Sequence, residues 1–450
     1  GMSHTSNYRS INSHDEMGAP LGLRTSEFVD EEVSEGRQRT TSTVRTIFNI
    51  FKTYVGVGVL GLPAAWKNAG IAGSLAAMAL LSVISLHCLL LLVDSKEDLI
   101  ARGHKVYTFG DTAIQALSRF GIKGGKVGGA IVDIILCFCQ LGVCCTYLAF
   151  LGQNTKTILP TQLPWEVFAA IWIAVMMLLS WIRTLKSLAF LAQAATVCLG
   201  VGILIISVAA IMSLNDNIKA HHKLNLKAID WINIPASLSV AIFAFEGIGF
   251  VIPAQTAIKD PKRYPFVLTF CIIVVGLLYA AFGTICYVGF GENTKQQIIN
   301  SLLLWANGSK GWEIVSKIIT VGLIAAIAFT YPIQLFVATD LMEERLFPAK
   351  DSTWGVWWLR NNFRAMLVFL TGLIALTVSQ MEVIMGFIGS LGAAPLQFIL
   401  PPIIWLSVHW EDATTAKRAL LFFYIFFGVV ATVLGTGVNI YKLVKPQPED

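Results

Sequence analysis

Gly56-Val57-Gly58-Val59-Leu60-Gly61-Leu62-Pro63 and Glu246-Gly247-Ile248-Gly249-Phe250-Val251-Ile252-Pro253 interrupt two long apolar segments where a membrane helix should be most regular. In hydrocarbon an unpaired backbone N–H or C=O costs several kcal/mol, so unwound backbone survives only where it is buried or lines a polar cavity. Closely spaced glycines also mark tight helix–helix packing, and that second reading competes with the first at each segment taken alone. A pair of breaks at corresponding places in two halves of a chain points to a binding site near the membrane midplane.

The surrounding composition supports the membrane setting. Of 450 residues, 55% are hydrophobic and only 14% charged, against roughly 25% charged in soluble domains. The net charge of +5 is small, and no nucleic-acid partner is implied. Eleven stretches are long and apolar enough to span a bilayer, over approximately 45–69, 71–94, 127–152, 164–182, 186–212, 233–258, 264–290, 312–341, 361–379, 383–408 and 417–442. Residues 1–44 are polar, lack the apolar mass to fold alone, and read as a disordered tail. The eight cysteines fall inside the spans, where thiols pack as small hydrophobes, so no disulfide or metal site is expected.

An odd number of spans puts the two termini on opposite sides. With the N-terminus cytoplasmic, that side collects 22 of the 33 Lys and Arg residues and the other side ten, with Lys52 inside the first span. The sequon Asn307-Gly308-Ser309 then falls in an external loop and makes Asn307 a glycosylation candidate. On the cytoplasmic side, Thr108-Phe109-Gly110-Asp111 followed by Ala113, Ile114, Ala116 and Leu117 reads as an amphipathic helix lying at the membrane interface.

Shifting the sequence by 191 residues lays Gly56 and Gly58 on Gly247 and Gly249. Spans 1–5 (45–212) and 6–10 (233–408) thus read as two copies of one unit. Five is odd, so the second copy enters the membrane from the opposite side, with span 11 (417–442) outside the repeat. The fold class expected is all-α integral membrane: eleven transmembrane helices in a 5+5 inverted repeat plus one, with helices 1 and 6 broken.

A helix that stops inside the membrane exposes its last C=O groups, and the half that restarts offers its first N–H groups with about half a positive charge. Together they suit a zwitterion. Gly56, Val57, Gly58 and Val59 are the candidates for receiving a carboxylate on backbone amides. Phe245, Glu246 and Gly247 are the candidates for an ammonium group on carbonyls. Pro63 suits the first turn of the outer half-helix. Glu246 is by itself a functional-site hypothesis, because a carboxylate deep in a membrane is expensive. It could accept the ammonium, carry a coupled proton, or bond the freed amides of its own break. Lys52, one turn before Gly56, either pairs in the interior or snorkels to the interface. Asp133 and His87 are further candidates for a proton path, and Tyr147, Thr330 and Tyr331 stand on repeat-related helices that flank the breaks.

These residues resemble the amino acid/auxin permease family, and within it the proton-coupled amino-acid transporters of animals and the vacuolar amino-acid transporters of fungi. The first-span motif continues through Lys67-Asn68-Ala69-Gly70. The sixth-span motif is Ala241-Ile242-Phe243-Ala244-Phe245-Glu246-Gly247-Ile248-Gly249, followed by Lys259-Asp260-Pro261-Lys262, and Cys286-Tyr287-Val288-Gly289-Phe290-Gly291 is a looser match. The resemblance covers 45–442 and implies a leucine-transporter-like fold, an amino-acid substrate held between helices 1 and 6, and proton symport without a cofactor. It also implies a plasma, vacuolar or lysosomal membrane. The animal members carry a histidine where this chain has Asn49, so coupling here falls to Glu246, Asp133 or Lys52, or differs. An amino-acid sensor signalling through the N-terminal tail is the alternative. No clustered His, Asp or Glu motif points to an enzyme.

Overall fold

The computed structural model describes residues 41–159, 161–181, 185–221, 225–347, 354–378 and 380–445, without the side chains of 185–192, 344 and 354. Most of the tail expected to be disordered (1–44) lies outside these residues. The described chain is helical almost throughout, apart from a single parallel bridge between Thr41 and Ile258.

The first long apolar segment is two helices. Ser42 caps α1 (Thr43–Tyr54), its Oγ accepting from the Arg45 amide at 3.4 Å. After Val55, α2 (Val57–Ala69) restarts at Gly56 and bends away by 52°. Then follow α3 (Ile71–Ala101), the short α4 (Phe109–Leu117), α5 (Ile122–Ile158), α6 (Trp165–Leu179) and α7 (Leu185–Lys219). The sixth segment again divides, into α8 (Ile234–Ala244) and α9 (Ile248–Ala257). The rest comprises α10 (Tyr264–Phe290), α11 (Ile298–Ala306), α12 (Lys310–Leu346), α13 (Trp354–Thr377), α14 (Met381–Phe387), α15 (Leu400–His409) and α16 (Thr415–Val444).

Among the described residues nine helical stretches are long and apolar enough to cross a membrane, or ten with the bent α1–α2 pair taken as one. The fourth expected span is the 15-residue apolar helix α6, below that length. Helices overrun the apolar windows by up to three turns, because their polar ends continue past the apolar core. For reference, the face where α1 begins is the first face and the face where α2 ends is the second.

Three local features differ from or add to the reading of the sequence. Pro63 is not in the first turn of α2 but seven residues into it, and Pro253 lies inside α9. Each deprives the carbonyl four residues before it of its helical donor. The segment expected to lie on the membrane interface, α4, is also packed on α5. Its start is a capping box, with Thr108 Oγ1 accepting from the Asp111 amide and Asp111 Oδ2 from the Thr108 amide, both at 3.1 Å. Burial pushes the Asp111 carboxyl above the ordinary carboxylate range, against the downward pull of its bonds to Thr108 and Tyr107. Gly128 and Gly129 of α5 make the groove for α4, since a side chain there would run into Leu117 and Ile114. Finally, the tenth span is irregular. Between α14 and α15 the ladder widens to π geometry over Ile388–Ala393 and again over Pro395–Ile399, the kind of wide turn that recurs at functional sites.

The core gathers on the divided helices. From Val57 to Trp66 every residue of α2 is buried, and α2 packs on α8 and α10. Gly58 permits this, because a Cβ there would stand 2.8 Å from the Ala244 Cα of α8. Gly389 of the first π stretch does the same on the other side of α8, where a Cβ would collide with the Ser239 carbonyl.

Candidate functional site

Two sets of unpaired amides face the interruptions. Val55 N–H returns to the Phe51 carbonyl at 2.8 Å and Val59 N–H to the Gly56 carbonyl at 3.3 Å. Between them the amides of Gly56, Val57 and Gly58 have no acceptor among the described residues. In the second break, Phe245 N–H bonds Ala241 and Glu246 N–H bonds Phe243, each at 3.1 Å. Here the amides of Gly247, Ile248 and Gly249 are likewise without acceptors among the described residues. Both sets lie at helix N-termini, the positive ends of α2 and α9.

The carbonyl ends are differently disposed. Tyr279 Oη of α10 lies 2.6 Å from the Tyr54 carbonyl and 2.9 Å from that of Ala244, the last residues of α1 and α8. Gln397 Nε2, from the second π stretch, donates to the Phe245 carbonyl at 3.0 Å, and Ser85 Oγ donates to Gln397 Oε1 at 3.3 Å. Of the carbonyls read from sequence as ammonium partners, that of Phe245 is therefore in use and that of Glu246 is not.

Glu246 immediately precedes the second set of amides, and two residues at the first break, Tyr54 and Tyr147, are near it. Its Oε1 is buried and has no hydrogen-bond partner, in the company of the equally unpartnered Tyr54 hydroxyl. Tyr54, Cys139 and Tyr147 are its electrostatic neighbours. A Cβ on Gly247 would meet the Tyr54 ring at 2.9 Å, so the second break lies directly on the end of α1.

Other residues singled out in the sequence fall variously. Tyr147 bonds Gln334 and presents its hydroxyl 3.9 Å from where a Cβ on Gly56 would be, which puts it at the first break. Thr330 donates to the Ala326 carbonyl of its own helix, and Tyr331, wholly buried, turns to Thr371 at 3.1 Å. Neither contacts a break; Gln334, one turn beyond Thr330 on the same face, is the α12 residue that reaches Tyr147. Val59 is buried in the first turn of α2. Asp133 pairs with Arg345 at the first face, and His87 Nδ1 meets Tyr424 at 2.8 Å on α16. The buried face of α1 is Thr46, Ile50 and Tyr54, which puts Lys52 on the opposite side of that helix. Asn307 is exposed beyond α11. Sequence reading missed Tyr279, Gln334 and Gln397. Each is a polar group in an otherwise apolar stretch, which was the available signal.

The fold, all-helical with its first and sixth apolar segments interrupted, is similar to that of two solved structures. MhsT, solved in complex with L-phenylalanine, superposes on 91% of this chain and 99% of its own at 14% identity and a TM-score of 0.51. Mhp1 in its inward-facing conformation covers 91% and 92% at 13% identity and a TM-score of 0.53. A family model described as transmembrane amino acid transporter protein matches residues 39–441, and the chain belongs to that family. It is 27% identical over 422 residues to amino acid transporter AVT3B of Arabidopsis thaliana, covering 90% of this chain and 94% of the relative. It is 27% identical over 404 residues to vacuolar amino acid transporter 3 of Saccharomyces cerevisiae, covering 86% and 55% respectively. These are transporters, not enzymes.

Proposed function

We propose that this transporter moves small neutral amino acids by alternating access, with a proton carried on Glu246. The observation behind this reading is the buried, partnerless Glu246 Oε1 beside the second of two breaks that each leave amides without acceptors among the described residues. The substrate carboxylate docks on the amides of Gly56 to Gly58, where charge-assisted bonds and the α2 dipole favour it. The ammonium donates to the Glu246 side chain and backbone carbonyl.

Coupling ions in broken-helix transporters are met by half-helix carbonyl ends or by a carboxylate. Here Tyr279 and Gln397 already engage the carbonyl ends at Tyr54, Ala244 and Phe245, which leaves Glu246 as the acceptor and a proton as the ion. A neutral substrate is favoured because Lys52 lies on the far side of α1 and Asp133 is engaged by Arg345. A small one is favoured by the narrow space between Gly56 and Tyr147.

In this reading the chain has eleven spans, with α6 as the fourth. Residues 45–212 and 233–408 form the inverted repeats, and 417–442 the extra helix. Its N-terminus is cytoplasmic, and by analogy with the vacuolar relatives it resides in a vacuolar or lysosomal membrane. Purified protein in liposomes should take up radiolabelled L-alanine faster under an imposed proton gradient, with competition strongest from other small neutral amino acids. Glu246→Gln should remove the gradient response. Equal rates with and without the gradient, or a full response in Glu246→Gln, would refute the coupling.

A further inference from the structure

Tyr279 does more at the breaks than close two carbonyls to a coupling ion. It is wholly buried in α10, and its ring meets Phe245 edge-on at 5.2 Å between centroids. Phe245 in turn meets the Tyr54 ring at 6.5 Å, so three aromatic rings pack around both breaks. The Tyr279 hydroxyl is the donor that the ends of α1 and α8 share, over sequence separations of 225 and 35 residues.

Electrostatics gives this contact a purpose. The C-terminal ends of α1 and α8 each carry about half a negative charge, and their last carbonyls point at one oxygen. Left to themselves the two ends repel, and in a dry interior that repulsion is strong. A single hydroxyl proton lies between them. It cannot satisfy both carbonyls in full, so the bond is a shared, three-centre one, and either end can be released by giving the proton wholly to the other.

We propose that Tyr279 is the positioning residue of the site: its shared proton keeps the two breaks in register, so that the amides of Gly56 to Gly58 stand opposite Glu246, and yields when the half-helices separate. This rests on the reading of the breaks as the amino-acid site. Removing the hydroxyl leaves two carbonyl ends without a donor. The two ends then drift out of register, the amides of Gly56 to Gly58 no longer stand opposite Glu246, and substrate binds more weakly.

The test is Tyr279→Phe, which keeps the ring packed on Phe245. Without substrate, hydrogen–deuterium exchange in the full chain should speed up about tenfold at the bonded amides of both breaks, Tyr54–Val55 and Phe245–Glu246, with the other helices unchanged. In liposomes, KM for L-alanine should rise about tenfold; a packing defect alone would lower the amount of active protein and leave KM where it was. Unchanged exchange at both breaks, or exchange raised along the whole of α10, overturns the proposal whether or not alanine is transported. Unchanged KM in Tyr279→Phe alongside inactive Glu246→Gln also overturns it and leaves the site standing. Normal, proton-stimulated uptake by Glu246→Gln instead removes the reading of the site beneath it.

Discussion

Gly56 and Gly58 look equivalent in the sequence, and substituting each by alanine separates binding from packing. Gly56 has φ −132° and ψ −163°, extended backbone open to any residue, and the nearest atom to an added Cβ is Tyr147 Oη at 3.9 Å. Gly56→Ala therefore costs the fold nothing, and restricting the unfolded chain stabilises it by about 0.4–1 kcal/mol. At Gly58 the added Cβ meets the Ala244 Cα at 2.8 Å and Cβ at 3.2 Å. Ordinary carbon contact needs about 3.5–4 Å, so α2 and α8 must move apart, at about 1–3 kcal/mol. Function should sort differently. The methyl of Gly56→Ala stands where a carboxylate approaches the amides, and losing one charge-assisted bond, about 1.5–3 kcal/mol, lowers uptake roughly 10- to 100-fold. Thermal unfolding of the full chain in detergent, followed by tryptophan fluorescence, and initial rates of L-alanine uptake measure the two effects. Gly56→Ala should unfold at or above the wild-type temperature and transport poorly, while Gly58→Ala should lose both. Wild-type transport by Gly56→Ala, or wild-type stability of Gly58→Ala, would refute the reasoning.

Two further outcomes follow from the second face. Glu382, buried at the start of α14, accepts from Lys442 of α16 at 2.7 Å and from Asn68 of α2 at 2.9 Å; breaking a fully buried pair costs about 3–5 kcal/mol, and with Lys442 near the surface about 2 kcal/mol is expected. Glu382→Gln and Lys442→Met should each destabilise by that amount and the double variant by little more, whereas additive losses in the thermal assay would show that the pair is not coupled. Expressed in a eukaryotic secretory pathway, the chain should carry a glycosidase-sensitive modification lost in Asn307→Gln; an unmodified Asn307 together with modification of a sequon introduced in the 102–107 loop would invert the orientation.

The breaks were legible because glycine pairs in apolar spans are a local signal, and the spans because their apolar lengths match a bilayer. What the sequence could not show was partnership. Tyr279 is one phenol in an apolar helix until the fold brings it to carbonyls at Tyr54 and Ala244, and backbone acceptors leave no mark on residue type. Thr330 and Tyr331 give their hydroxyls to Ala326 and Thr371, while Gln334, one turn on, reaches Tyr147, and the spacing along α12 does not reveal which turn lies level with Gly56. The glycines at 128 and 129 carried a further signal: two adjacent small residues make a groove on a helix, and Leu117 and Ile114 of α4 fill it. Gly389, Gly392 and Pro395 carried another, because together they disfavour a regular ladder in the tenth span and precede the π geometry that turns Gln397 toward Phe245.

The two half-helices of the first span are held very differently, and this decides which of them can move in the proposed cycle. α2 is buried from Val57 to Trp66, and its far end is fastened by Trp66 to Thr284 at 3.0 Å, Lys67 to the Glu292 and Thr294 carbonyls at 2.8 and 3.0 Å, and Asn68 to Glu382. α1 has half-exposed residues at Lys52, Thr53 and Val55, and Gly56 beyond them is half-exposed too. At its start, Thr41 N–H bonds the Ala257 carbonyl at 3.1 Å and the Thr41 carbonyl accepts from Lys259 N–H at 3.0 Å. That bridge ties α1 to the end of α9, the other half-helix of the first face. A swing about Val55–Gly56 and Phe245–Gly247 therefore carries α1 and α9 together, while α2 and α8 stay packed through Gly58 and Ala244. The shared Tyr279 proton lies at the pivot, between the end that moves and the end that does not.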